Sequence, residues 1–231
     1  MSRIGVPRRH YRVTDSTNAR LRTLAARAVP HGTVVTADEQ TAGRGRQGRT
    51  WVSPPGSALL CSVLIRRLTD SPLLPLAVPV AVCEAIEAVA PVRCAVKWPN
   101  DVWIDGRKVC GVLIEARPGE GWAAAGIGVN LDPEALDPGL GERATAVGHG
   151  VGRERLLGVL LTALQRRVAP GATEAVLAAF AERDGLRGRE VRWHGGSGTA
   201  AGIDDNGRLR VETGETITNI NAGEVHLVAQ E

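Results

Sequence analysis

Residues 43–51 read G-R-G-R-Q-G-R-T-W, a run of three glycines and three arginines that ends in tryptophan. Glycine leaves the backbone free to approach a ligand closely, or to stay mobile until a ligand arrives. Arginine carries a planar, permanently charged fork that suits carboxylate and phosphate oxygens. Short apolar runs at residues 33–37 and 58–65 flank the stretch and are typical of buried strands. The pattern predicts a loop between two strands, the Gly/Arg loop, that closes over a small anionic molecule.

Lysine is rare in this chain, because only Lys97 and Lys108 of its 28 basic side chains are lysines. The two lysines frame a short segment, from K-W-P-N-D at residues 97–101 to G-R-K at residues 106–108. A compact ammonium is not interchangeable with a guanidinium at a tight site, so both lysines are candidates for functional positions. An accident of composition would produce the same pattern, and that alternative stays open at this point.

Composition and charge bound the class of protein. A chain of 231 residues with 43% hydrophobic residues forms one large domain, or a medium domain with a small one. A net charge of +3 is too small for the strong field of a nucleic-acid or membrane binder. The histidines lack metal-ligand spacing, and Cys61, Cys83 and Cys110 stand in apolar surroundings that suggest reduced, buried thiols. With no apolar segment after Met1 that resembles a secretory signal, we expect a cytoplasmic protein.

Helical and extended patterns alternate through the first four fifths of the chain. Helices are predicted from the caps at residues 14–18 to residue 30, from Ser71-Pro72 to about residue 89, and at 151–168 and 173–183. Strands are predicted at 10–13, 33–37, 58–65, 92–98, 102–104, 108–115 and 122–130, and residues 189–228 are strand-like with several turns. The fold class is therefore α/β (α+β), a mixed sheet flanked by helices at 1–184, with a small β-barrel at 185–231.

Polar side chains interrupt this pattern where strands or helices begin and end. Ser16, Thr17 and Asn18 stand at a helix start, where they cap the helix or present hydroxyl and amide groups to a ligand. Gln40 ends a strand just before the Gly/Arg loop, and its amide is both a donor and an acceptor. Helix capping and ordinary surface polarity explain each group taken singly.

The K-W-P-N-D turn and two glycine-containing strands are further candidates. Pro99 forces the preceding strand to end, so Asn100 and Asp101 are presented in a turn, where Asp101 can hold a magnesium ion or orient a lysine. Glycines at 111, 126 and 128 weaken strands unless something packs closely against them. Neither a dinucleotide fingerprint nor a P-loop is present, so ATP would require another architecture.

With these motifs, the chain resembles biotin–protein ligases, the biotin–[acetyl-CoA-carboxylase] ligases. The resemblance covers residues 10–132 and follows this order: S-T-N at 16–18, Gln40, the Gly/Arg loop, K-W-P-N-D, R-K…G-V-L-I-E at 107–115, and G-I-G-V-N at 126–130. It implies a class II synthetase-like catalytic domain and a small SH3-like C-terminal domain. It also implies activation of biotin by ATP and Mg²⁺ to biotinyl-5′-AMP, followed by transfer to a lysine of a biotin carboxyl carrier protein domain.

The resemblance also implies roles for individual residues. The residues implied in catalysis are Lys108, Arg44, Arg46 and Arg49. The residues implied in biotin binding are Ser16, Thr17, Asn18, Gln40, Gly43, Arg44, Gly45, Arg46, Lys108, Gly111 and Gly126. Those implied around ATP are Trp51, Lys97, Asn100, Asp101, Gly128 and Asn130, with Asp101 as the metal ligand.

Some members of that family carry an N-terminal winged helix that binds DNA, whereas here the first motif helix begins within twenty residues of Met1. We therefore expect ligase activity without DNA or membrane binding, and a homodimer is possible. The nearest alternative is a lipoate–protein ligase, which shares the fold class and the acyl-adenylate chemistry. A more distant alternative is a nucleic-acid-binding module built on the Gly/Arg stretch.

Overall fold

The computed structural model describes residues 3–66, 73–221 and 223–228. The helices and strands follow in this order: β1 (Arg8–Thr14), α1 (Thr17–Ala25), β2 (Val34–Gln40), β3 (Ala58–Arg66), α2 (Leu74–Glu87), β4 (Cys94–Lys97), β5 (Asp101–Ile104), β6 (Arg107–Arg117), β7 (Trp122–Asn130), α3 (Arg153–Arg167), α4 (Thr173–Ala181), β8 (Glu190–Trp193), β9 (Gly196–Ile203), β10 (Leu209–Thr213), β11 (Thr216–Ile220) and β12 (His226–Leu227).

The first seven strands form one mixed sheet in the order β1-β2-β3-β7-β6-β5-β4. Strands β1 and β2 run parallel, and every other neighbouring pair runs antiparallel. Strands β3 and β7 lie at the centre and are almost wholly buried, which explains why both read as continuous apolar or small-residue runs. The predicted mixed sheet flanked by helices is confirmed.

Helices cover both faces of this sheet. Side chains alternate along β3, so Cys61 and Val63 face the large core beneath α2, α3 and α4. Leu64 faces the other side, where it packs with Leu21 of α1 and Trp122 of β7. Helix α1 thus lies on the face opposite the layer of α2, α3 and α4, and its first residues reach the end of β2.

The last five strands form a separate antiparallel sheet in the order β11-β10-β9-β8-β12. This confirms the predicted β-rich unit at the C-terminal end. The unit packs on the first domain, because the indole nitrogen of Trp98 donates to the carbonyl of Gly207 at 3.0 Å. A Cβ at Gly207 would approach Leu73 and Leu76 to within 3.0–3.1 Å, so the turn between β9 and β10 sits directly on the helical layer.

Several predicted boundaries differ from the structure, among them the end of the first helix, which was predicted at residue 30 although α1 ends at Ala25. The predicted helix start at Ser71-Pro72 lies outside the described residues, and the described helix α2 begins at Leu74 with proline in its first turn. The strand predicted at 92–98 is shorter, because β4 comprises only Cys94–Lys97. Val92 donates to the carbonyl of Ala90 in a tight turn that follows α2, so the chain cannot extend there.

The four cysteines are all free and buried, which was predicted for Cys61, Cys83 and Cys110 but not for Cys94. Burial raises the pKa of the Cys61 thiol to about 12, so this thiol stays protonated at neutral pH. Within the described ranges, no helix is both long and apolar enough to cross a lipid bilayer.

Replacing Asp184 with asparagine should stabilise the protein at neutral pH by roughly 0.5–1 kcal/mol. One carboxylate oxygen accepts the N–H groups of Leu186 and Arg187 at 2.9 and 3.2 Å, and asparagine keeps that acceptor. The other oxygen, Oδ2, is buried without a hydrogen-bond partner in the described part of the chain. Burial raises the pKa of Asp184, so the ionised carboxylate is disfavoured in the fold.

The pH dependence of this effect follows from the direction of the shift. The stability contributed by the protonated carboxyl is complete below the unfolded pKa and is lost as the pH rises through the higher folded pKa. Urea unfolding at pH 7.5 should therefore show the gain, and the gain should shrink towards zero as the pH falls below the unfolded pKa. A variant that is less stable than the parent chain at pH 7.5 would contradict this account.

Candidate active site

One cavity collects the polar segments that the sequence analysis singled out. It opens beside the start of α1, beneath the Gly/Arg loop and over the middle of β6 and β7. Sixteen predicted site residues line it: Ser16, Thr17, Asn18, Gln40, Arg44, Gly45, Arg46, Arg49, Trp51, Lys97, Asn100, Asp101, Lys108, Gly111, Gly126 and Gly128. Gly43 and Asn130 do not line it, and Gly43 borders an adjoining depression on the other side of the loop.

The end of the cavity nearest α1 is held by a hydrogen bond between helix and strand. Gln40 Oε1 accepts the backbone N–H of Thr17 at 2.7 Å and lies 3.1 Å from the Thr17 hydroxyl. A backbone N–H can only donate, so the oxygen of the Gln40 amide must face the helix. Its nitrogen has no partner among the described residues, which leaves a free donor in the cavity lining.

A buried serine that the sequence analysis missed supports this end of the cavity from below. Ser62 of β3 is fully buried, and its hydroxyl lies 2.7 Å from Thr17 Oγ1 and 2.6 Å from Asn18 Oδ1. The Asn18 amide nitrogen also donates to Glu115 at 2.8 Å. An isolated serine inside the apolar run of β3 was the signal available, since a buried hydroxyl requires a partner.

The Gly/Arg loop is closed on itself and anchored to three other segments. Within the loop, Gly45 donates to the carbonyl of Arg49 at 2.7 Å. Arg44 pairs with Glu115 at 3.1 Å. Arg46 donates to Asn100 Oδ1 at 3.0 Å and to the carbonyl of Gly223 at 3.3 Å.

Arg49 completes these anchors by forming an ion pair with Glu224. Gly43 has a different role in the same loop, because Trp51 donates its N–H to the Gly43 carbonyl at 3.0 Å. A Cβ at Gly43 would lie 2.3 Å from the carbonyl oxygen of Trp51, so only glycine fits where the two ends of the loop meet.

The glycines of β6 and β7 make room for protein side chains. Gly111 and Gly128 are cross-strand partners, and together they form a flat surface on which the Trp51 indole lies. A Cβ at Gly128 would approach the indole to 2.7 Å. Gly126 likewise leaves space for the Asn18 amide, which a Cβ would meet at 2.6 Å. The indole nitrogen of Trp51 is buried without a hydrogen-bond partner in the described ranges, so a donor is available there.

Both lysines lie in this cavity, as their rarity in the sequence suggested. The Lys108 ammonium is 2.7 Å from Asp101 Oδ1 and 6.0 Å from the centre of the Trp51 ring. The Lys97 ammonium lies 5.4 Å from the centre of the Trp103 ring. Burial lowers the pKa of Lys97, and the neighbouring Asp101 opposes that shift.

The C-terminal sheet also contributes to the cavity, which the sequence analysis did not predict. Residues 223–226, at the start of β12 and just before it, belong to the lining and include Glu224 and His226. These residues follow a β-rich tail with no local motif, so only the tertiary fold brings them to the loop. Asn130 instead donates to the carbonyl of Thr145 at 3.0 Å and holds the segment after β7.

A metal ion would not find a complete protein site here. No group of three or more His, Cys, Asp or Glu side chains suited to a metal occurs in the described residues. Asp101 offers a carboxylate towards the cavity, where it pairs with Lys108. Magnesium in nucleotide sites is commonly held by one or two carboxylates together with substrate phosphates, so a single aspartate fits that mode of binding.

Two regions of the chain match known protein families. Residues 10–132 match the biotin/lipoate A/B protein ligase family, and residues 188–228 match the biotin protein ligase C-terminal domain. The chain therefore belongs to the biotin/lipoate A/B protein ligase family, and the resemblance to biotin–protein ligases is confirmed.

Individual relatives resemble the chain over most of its length. A biotin–[acetyl-CoA-carboxylase] ligase of Mycobacterium tuberculosis is 35% identical over 92% of this chain and 85% of its own. A bifunctional ligase/repressor BirA of Bacillus subtilis is 34% identical over 94% of this chain and 73% of its own. The biotin protein ligase from Aquifex aeolicus, solved in complex with biotin and ATP, superposes with a TM-score of 0.85 at 29% identity, over 96% of this chain and 99% of its own.

Proposed function

We propose that this chain activates biotin with ATP as biotinyl-5′-AMP and transfers the biotinyl group to a lysine of a biotin carboxyl carrier protein domain. ATP-dependent biotinylation follows from the family and from the relative that binds biotin and ATP. The family and this relative do not show the carrier domain, the residue roles or Mg²⁺, which are proposed in addition. The residue roles rest above all on one observation: the cations of three separate segments meet at a single cavity whose far end is polar and uncharged.

The reaction requires positioning and charge neutralisation rather than an enzyme nucleophile. In the first step a carboxylate oxygen of biotin bonds to the α-phosphorus of ATP, and the bond to the β-phosphate oxygen breaks to release pyrophosphate. In the second step a carrier amine attacks the carbonyl carbon of the mixed anhydride, the bond to the AMP oxygen breaks, and the amine loses a proton. Both steps are accelerated when the reactants are aligned. A site from which water is excluded also protects the anhydride from hydrolysis.

The end of the cavity at α1 suits the ureido group of biotin. The free amide nitrogen of Gln40 can donate to a carbonyl, and Ser16 and Thr17 add hydroxyls beside it. Asn18 would contribute to biotin binding at the same end of the cavity. Gly43, Gly45 and the arginines of the loop would enclose the biotin chain, with Gly111 and Gly126 allowing the close packing described above.

The charged end of the cavity suits the phosphates. Lys108 would hold the biotin carboxylate and then the acyl-phosphate oxygens, while Arg49 would meet the departing pyrophosphate. Each is paired with a carboxylate in the structure, Lys108 with Asp101 and Arg49 with Glu224, so a phosphate would exchange one anionic partner for another. Lys97 adds a cation close to Asp101.

Asp101, once released from Lys108, would take one coordination position of Mg²⁺, which neutralises phosphate charge when it is bound. Asn100 would lie near the phosphates, and Trp51, Gly128 and Asn130 would border the adenine. Asp101, Asn100, Trp51 and Gly128 all line the cavity, which supports their assignments. Because Asn130 lies outside that lining, it would act by holding the neighbouring segment in place.

Two further features of the molecule belong to the same proposal. We place the division between the catalytic domain and the SH3-like domain at residues 1–184 and 185–231. The formation of a homodimer remains a prediction.

An adenylation assay that compares two acids tests this function. The purified chain, supplied with ATP and Mg²⁺, should release pyrophosphate when biotin is added and should give no comparable release with lipoate. Mass spectrometry of the product should show biotinyl-5′-AMP, and adding a carrier domain should convert that intermediate into biotinylated carrier and AMP. Release with lipoate but not with biotin would reject the proposal in favour of a lipoate ligase.

A further inference from the structure

We infer that Ser62 is a positioning residue for biotin, because it orients the Asn18 amide at the ureido end of the cavity without touching the ligand. This inference rests on the proposed function. Ser62 is fully buried and does not belong to the cavity lining, whereas Asn18 does. The two residues belong to different elements, β3 and α1, so the contact between them fixes the helix start against the central strand.

The orientation of the Asn18 amide follows from its partners. Its nitrogen lies 2.8 Å from Glu115 Oε2 and 3.3 Å from the carbonyl oxygen of Leu113. Both of those atoms are acceptors only, so the amide nitrogen must face them and the amide oxygen must face Ser62. Both hydrogens of the Asn18 amide are then committed, and neither is free to donate to a ligand.

The protons of the two hydroxyls are assigned by the same reasoning. Asn18 Oδ1 can only accept, so the single proton of Ser62 is donated to it across 2.6 Å. The 2.7 Å contact between the Ser62 and Thr17 hydroxyls then uses the proton of Thr17, and Gln40 Oε1 keeps the backbone N–H of Thr17 as its donor. A directed chain results, from Thr17 to Ser62 to the Asn18 oxygen, and from the Asn18 nitrogen to Glu115.

This chain continues to the loop that covers the cavity. Glu115 Oε2, which accepts from Asn18, is also the atom that pairs with Arg44 at 3.1 Å. Gly126 confines the amide on its other side, where even a Cβ would lie 2.6 Å from Asn18 Oδ1. The Asn18 amide thus sits in a tight space with one donor, Ser62, that fixes its oxygen.

Removing that donor should alter biotin binding selectively. In Ser62→Ala the Asn18 oxygen stays buried without a donor, so the amide must shift or flip, and Glu115 with Arg44 must follow. We expect the KM for biotin to rise about tenfold, while the KM for ATP and kcat change by less than about twofold. The assay is biotin-dependent pyrophosphate release, with biotin and ATP varied separately.

The neighbouring residue on the same strand gives the matched control. Cys61 is also fully buried, but it faces the helical layer on the other side of the sheet. Cys61→Ala should lower thermal stability and leave the KM for biotin unchanged. Ser62→Cys, which keeps the shape of the side chain but donates only weakly, should give an intermediate KM and serves as the second variant if Ser62→Ala does not fold.

A double-mutant cycle with Asn18→Ala tests the route of the effect. If Ser62 acts through Asn18, Ser62→Ala should change the KM for biotin by less than about twofold once Asn18 is alanine. An unchanged KM in the folded single variant, or additive effects in the double variant, would overturn the inference. A parent chain that does not adenylate biotin would instead reject the proposed function, and the inference would fall with it.

Discussion

Lys108→Ala should lower biotin-dependent pyrophosphate release by about 1000-fold or more, while the protein stays folded. The Lys108 ammonium is placed over the middle of the cavity, 2.7 Å from Asp101, by a half-buried side chain. Its removal takes away the cation proposed to hold the biotin carboxylate and leaves Asp101 without that partner. The biotin carboxylate and the phosphates would then lack the cation proposed to hold them together, so the transition state loses that electrostatic stabilisation.

The fold should tolerate this change, because a partly exposed ion pair contributes little to stability. Arg107→Ala provides a matched control, since Arg107 is the exposed neighbour of Lys108 on β6 and lies outside the cavity lining. The control should retain the activity of the parent chain, and both variants should unfold within a few degrees of it. Turnover of Lys108→Ala close to that of the parent chain would refute the role of the lysine.

Arg46→Gly should release the bound adenylate roughly 10–100 times faster than the parent chain does. The Arg46 guanidinium connects the middle of the loop to Asn100 and to the carbonyl of Gly223. Hydrogen bonds from a charged donor are stronger than neutral ones, so losing two of them should shift the loop towards open states. The measurement follows biotinyl-5′-AMP retained by the protein after rapid gel filtration, in the absence of carrier.

Gln47→Gly separates the loss of these contacts from the flexibility that glycine itself adds. Gln47 is exposed and already has a positive φ of 54°, so glycine adopts that conformation without strain. This variant places a new glycine one residue further along the same loop and removes neither anchor. It should retain the adenylate as the parent chain does, and equally fast leakage from both variants would show that Arg46 has no special role.

Most of the fold could be predicted from the sequence because local patterns and tertiary burial agree. The continuous apolar run of β3 and the small-residue run of β7 indicated buried strands, and they form the centre of the sheet. The start of α2 was harder to predict, because prolines stand at positions 72 and 75 and either one suits the first turn of a helix. Strand order could not be predicted at all, since it depends on contacts between residues far apart in the sequence.

The cavity was predicted to the extent that its residues carry unusual local chemistry. The arginines of the loop were identified because they are concentrated in one short stretch. Lys97 and Lys108 were identified because lysine is otherwise missing from the sequence. Ser62 and Glu224 were not identified as site residues, because a serine in a strand and a glutamate in a tail are common. Their significance arises only from the residues that the fold brings beside them, Asn18 in one case and Arg49 in the other.

The anchoring of the Gly/Arg loop by ion pairs makes its closure sensitive to ionic strength. The Arg44 and Arg49 side chains are 37% and 62% exposed where they meet Glu115 and Glu224, so dissolved ions reach both pairs. At physiological ionic strength the screening length is about 8 Å, and it shortens as electrolyte is added. We therefore expect the residence time of the proposed adenylate to shorten as electrolyte is added, because the ions weaken the two pairs that anchor the loop.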